Sequence, residues 1–99
     1  MSMMKLTDNQ FNKLKSQLEQ LGKEDHDPLY DTTMVIRPTV SLVNGMLQVS
    51  AEDGGYFADY YGEFRDGYPW IDPALEKWAE NKACYWDWES PGSIVLVTQ

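Results

Sequence analysis

Val40-Ser41-Leu42-Val43-Asn44-Gly45-Met46-Leu47-Gln48-Val49 is the stretch that decides the fold. A two-residue type I′ turn needs positive φ at both central positions, and Asn44-Gly45 supplies it. Pairing Val43 with Met46 sets Leu42 opposite Leu47 and Val40 opposite Val49 on one face. Ser41, Gln48, Thr39 and Ser50 fall on the other. Turn chemistry and period-two patterning, which begins at Met34, therefore agree on an antiparallel hairpin with one apolar face. Pro38 has no N–H to give a ladder, so the upstream end of the first strand belongs at a sheet edge or outside the sheet.

Downstream, Glu52-Asp53-Gly54-Gly55 reads as a second turn and Tyr56 to Tyr61 as a third strand of a meander, with Arg65 to Pro69 a further loop. Asp72-Pro73 pairs an N-cap acid with proline at the first helical position, which predicts a helix over 73–82 with Leu75, Trp78 and Ala79 on its apolar face. Cys84 to Glu89 alternates strictly, with Cys84, Trp86 and Trp88 on one side and Tyr85, Asp87 and Glu89 on the other. Ser90 to Ser93 turns the chain, and Ile94 to Thr98 returns as the partner strand.

Upstream, Thr7-Asp8-Asn9-Gln10 reads as a capping box. Phe11, Leu14, Leu18 and Leu21 then recur at spacings of three and four, which predicts an amphipathic helix over 8–21 stopped at Gly22. Lys23 to Pro28 carries charge and a proline without a period and is expected to be a loop. The order is αβββαββ, an α+β fold: one small domain spanning 1–99, with about five antiparallel strands in hairpins and two helices packed on them.

The chain has 99 residues, with 8 basic side chains against 16 acidic ones, a formal charge of −8. Its hydrophobic content of 42% and aromatic content of 13% are too high for a disordered acidic tail, so the chain is expected to fold. The negative balance argues against direct contact with nucleic acid or an anionic membrane, both of which demand basic side chains. The start, Met1 to Lys5, has no apolar core of a secretory leader, and Ile94 to Val97 is the longest aliphatic run. A lone cysteine, Cys84, allows no internal disulfide. Together these set a cytoplasmic expectation.

The acidity is unevenly placed. Residues 1–23 hold four lysines against two acids, whereas the remainder holds fourteen acids against four bases. Residues 52–89 alone carry ten acids and eleven of the thirteen aromatics. On a helix, Asp72, Glu76 and Glu80 form one row at i, i+4 and i+8, rising about 6 Å per step. Like charges at that spacing oppose helix formation by roughly 0.2–0.5 kcal/mol per pair, so the row is a cost to the fold. Asp87 and Glu89 project from one strand face, roughly 6–7 Å apart. Both spacings approach that of successive phosphates on a nucleic-acid strand. The plain alternative stands beside this: Asp72 as a simple N-cap, Glu76 and Glu80 as a wet helix face, Asp87 and Glu89 as a solvated strand face.

Among the aromatics, Phe57, Trp78, Trp86 and Trp88 are expected in the core with Leu75. Tyr60, Tyr61, Tyr68 and Trp70 lie in or beside loops, where such rings anchor interfaces. With Asp59, Glu63, Asp66, Asp72, Glu76, Glu80, Asp87 and Glu89 they make up the expected partner-binding set.

Catalytic chemistry has little to draw on. The single histidine, His26, stands among acids with no nucleophile beside it, and Glu24-Asp25-His26-Asp27 has no metal-ligand spacing. There is no glycine-rich phosphate loop, and no enzyme activity, metal or cofactor is expected. In size and charge the chain resembles the small acidic inhibitor proteins encoded by phages and mobile elements, including DNA mimics that block restriction or CRISPR effectors. That resemblance implies a non-catalytic inhibitor or decoy binding a basic surface of a nucleic-acid-handling protein. Two other readings stay open: an immunity protein or antitoxin capping a basic toxin, and a structural or adaptor module whose acidity serves solubility.

Overall fold

The computed structural model describes residues 5–52, 56–62 and 69–99. Helix α1 (Asp8–Glu19) starts on the expected capping box: the Thr7 hydroxyl accepts from the Gln10 amide at 3.2 Å and the Gln10 side chain accepts from the Thr7 amide at 2.9 Å. It ends earlier than its periodicity suggests, on Gln20, whose N–H donates to the carbonyls of Gln17 and Leu18. Gly22 is not a left-handed cap. Its need for glycine is steric, because a Cβ there would lie 2.8 Å from Val35 Cγ1.

The decisive hairpin is formed by β3 (Val40–Val43) and β4 (Met46–Ser50), with Val43 opposite Met46, Leu42 opposite Leu47 and Val40 opposite Val49, as the turn chemistry requires. Asn44 and Gly45 have φ of 52° and 78°. Two further elements were also readable: α2 (Pro73–Glu80), capped by Asp72 and two residues shorter than expected, and the hairpin of β7 (Cys84–Ser90) with β8 (Ser93–Thr98). The fold is the expected α+β class, with two helices and antiparallel sheets among the described residues.

Two assignments need correction. Lys23 to Pro28 is not simply a loop: β1 (Lys23–Asp27) pairs with β2 (Thr32–Ile36) from Lys23↔Ile36 to Asp27↔Thr32. A four-residue connection led by Asp27-Pro28 closes it, and the Asp27 side chain accepts from the Leu29 amide at 2.9 Å. Tyr56–Tyr61 is not the third strand of a meander. Only β5 (Ala58–Asp59) is extended there, and it pairs with β6 (Trp70–Ile71) as a separate two-residue ladder. The turn expected at 52–55 and the loop at 65–69 lie largely outside the described residues.

The place beside β4 goes to β8 instead, giving the sheet order β3-β4-β8-β7. The reason is burial. Ile94, Val95, Leu96 and Val97 are all at most 5% exposed, so β8 hides both faces, as a central strand does. One face of the sheet carries Leu47, Val49, Ile94, Leu96, Cys84 and Trp86 into a core completed by Phe11 and Leu18 of α1 and Leu75 and Ala79 of α2. Phe57 joins that core, with Trp78 and Trp88 packed half-buried at its margin. The Trp86 indole donates to the Leu75 carbonyl at 2.8 Å, which fixes α2 against β7.

After α2, Ala83 takes φ of 57°, a left-handed conformation that glycine adopts without the Cβ penalty. Ala83→Gly is expected to raise the free energy of unfolding by roughly 0.5–1 kcal/mol, read as a rise of several degrees in thermal midpoint. An unchanged or lowered midpoint would show that Ala83 carries no such strain.

Candidate interaction surface

The acids expected to act together divide by environment. Asp72 and Asp59 are buried, at 6% and 5% exposure. Asp72 Oδ1 accepts from the Ala74 amide at 2.9 Å as the cap of α2, while Oδ2 makes no directed hydrogen bond and is compensated by the ammonium of Lys23. That ammonium also donates to the Tyr56 carbonyl and sits 5.2 Å and 5.4 Å from the ring centroids of Phe57 and Trp70. Asp72 is therefore a structural ion pair and leaves the surface row. Trp70 and Tyr60 are half-buried; Tyr60 meets Trp88 edge to face at 5.1 Å and Tyr61 at 5.0 Å, and Tyr61 is 60% exposed. Glu63, Asp66 and Tyr68 lie outside the described residues.

Glu76, Glu80, Asp87 and Glu89 are exposed. Glu76 and Glu80 line a depression of about 180 Å³ with Ile71, Tyr85, Trp86 and Gln99. Among the described residues its lining contains no basic side chain. Tyr85 projects from the outer face of β7, the face it shares with Asp87, and β7 is the edge strand of its sheet. Of the strand residues, Tyr85 and Trp86 border the helix pair Glu76 and Glu80; Asp87 and Glu89 do not line that depression. Neither Glu76 nor Glu80 forms an ion pair among the described residues. Glu89 stands at the irregularity between Trp88 and Ser90, where strand alternation no longer fixes its direction.

A second acidic feature escaped the sequence reading. The β1–β2 arm carries Glu24, Asp25, Asp27 and Asp31, and it exposes Leu29 (80%), Tyr30 (72%), Met34 (55%) and Val35 (51%). Its root is held by the Lys23 pair, by the Tyr56 hydroxyl donating to Asp25, and by Arg37 donating to the Glu19 carbonyl at 2.6 Å. A run of acids around Asp-Pro followed by Thr-Thr-Met-Val-Ile was the available signal: a turn dipeptide leading into a β-prone segment.

Cys84 is buried, with its thiol donating to the Lys82 carbonyl at 3.3 Å. Burial pushes the thiol pKa up, and the positive charge of Lys82 offsets part of that rise. Among the described residues no three metal-ligating side chains cluster, and no helix is long and apolar enough to cross a membrane. No protein-family model, curated protein or solved structure matches the chain.

Two outcomes are expected. Lys23→Met strands the buried Asp72 carboxylate and costs on the order of 2–4 kcal/mol, somewhat under the value for a fully buried pair because the Lys23 side chain is 32% exposed. Asp72→Ser keeps a helix cap and lets Lys23 turn to water, so it costs less in urea unfolding; the reverse order would refute this account of the pair. Cys84, held as the thiol, reacts with a disulfide reagent about tenfold or more slowly in the native protein than in denaturant at the same mildly alkaline pH. Equal rates would contradict its burial.

Proposed function

We propose that the protein is a non-catalytic inhibitor or decoy whose acidic edge docks on a basic surface of a nucleic-acid-handling protein. The observation that supports it is the pair of exposed carboxylates, Glu76 and Glu80, at a depression that Tyr85 also lines and to which, among the described residues, no cation contributes. The helix pair Glu76 and Glu80, at a near-phosphate spacing of about 6 Å, suits a groove that normally receives a nucleic-acid strand, and exposed Asp87 and Glu89 on β7 add negative charge.

The physics divides the work. Unpaired carboxylates steer encounter with a cationic partner and set its orientation. Aromatic groups, half-buried Tyr85 at the depression and the exposed Tyr61, give contact area at low entropic cost and slow dissociation. Occlusion of the partner's nucleic-acid site is then the whole mechanism; no bond is made or broken.

The test is capture of a partner by immobilised protein, comparing the wild type with a variant carrying Glu76→Lys, Glu80→Lys, Asp87→Lys and Glu89→Lys across a salt series. The wild type is expected to retain a nucleic-acid-binding protein that added duplex DNA displaces, with retention falling as salt rises and vanishing in the variant. Capture indifferent to both salt and charge reversal would overturn the proposal in favour of an adaptor, and capture of a toxin would favour the immunity reading.

A further inference from the structure

Apart from the acidic edge, the described surface contains two features that are opposite in form and charge. One is a groove of about 370 Å³ between α1 and the sheet, floored by Leu6, Leu14 and Leu96 and flanked by Lys13 and Lys82, with no acid in its lining among the described residues. Its size falls at the lower end of the ~300–1,000 Å³ typical of ligand sites, which is room for one or two large side chains. The other is the β1–β2 arm. Its tip presents Leu29 and Tyr30 largely to solvent, between Asp27 and Asp31. The arm's one lysine, Lys23, is turned inward on Asp72, so it does not neutralise the tip.

We infer that the arm of one molecule inserts Leu29 and Tyr30 into the α1 groove of a second copy, so that the protein associates head to tail. Charge complementarity selects this occupant: Asp27 and Asp31 flank the apolar tip, and Lys13 and Lys82 border the apolar floor. The tip makes no contact with its own body that covers it, which leaves the groove to be filled from another molecule. Each copy then offers one arm and one groove, and such a heterologous contact propagates as a chain or closes as a ring. The groove and arm lie apart from the Glu76–Glu80 depression, so this association stands or falls independently of the decoy reading.

Sedimentation velocity over a concentration series tests it with three proteins. The wild type is expected to form dimers and larger species that weaken as salt rises. Leu29→Ser with Tyr30→Ser, and separately Lys13→Glu with Lys82→Glu, are each expected to weaken self-association by tenfold or more. All four side chains are exposed, and far-UV circular dichroism confirms that each variant is folded. If the double arm variant loses structure, Leu29→Asp alone replaces it. An equimolar mixture of the two variants is expected to form one-to-one dimers and nothing larger, because only one intact arm and one intact groove remain to meet. A wild type that stays monomeric into the high micromolar range would overturn the inference. So would a groove variant that associates like the wild type, which would indicate pairing of arm to arm, or a mixture that fails to combine.

Discussion

A single ammonium group ties the molecule together. Lys23 stands where the chain leaves α1 and enters the arm, and its charge is shared among the buried carboxylate of Asp72, the Tyr56 carbonyl and the faces of Phe57 and Trp70. A carboxylate in this position is expensive unless both oxygens are answered. The first turn of α2 answers one and Lys23 the other. In return the start of α2, the small β5–β6 ladder and the base of the arm are fixed to one another, although they are far apart in sequence.

The same pair shapes the surface. By drawing Lys23 inward it takes the arm's one lysine away from its acids, leaving the His26 ring as the neighbour of Asp31, and by drawing Asp72 inward it shortens the helix row to Glu76 and Glu80. Those two remain near β7 because the Trp86 indole, bonded to the Leu75 carbonyl, holds α2 against the core face of that edge strand. Meanwhile Lys13 and Lys82 lie together across α1 and the end of α2, where they border a separate apolar groove. The formal charge of the chain therefore describes no single region of it.

Elements with an apolar stripe were legible in the sequence. The Asn44-Gly45 hairpin, both helix starts and the Cys84–Thr98 hairpin each combine local turn or cap chemistry with a hydrophobic period, and the two signals agree. The arm was not legible as a strand pair because both its faces are wet: Glu24, Asp25 and His26 alternate in direction without alternating in polarity, so period two leaves no trace. The position of β8 at the sheet's centre was also hidden, since the choice between it and Tyr56–Tyr61 as a neighbour for β4 depends on burial at long range. For the surface, Glu76, Glu80 and Asp87 were readable from spacing alone. Asp72 and Asp59 were not, because whether an acid faces water or a lysine is decided by residues distant in the chain.

The central location of β8 carries a consequence for biosynthesis. It follows β3, β4 and β7 in sequence, yet β4 and β7 both need it for their ladders. Until the ribosome has released it, the β3–β4 hairpin has an open edge and the Leu47–Val49 face lacks its main covering. The nascent chain can order α1 early, but the sheet assembles only as a late step that joins the two hairpins at once.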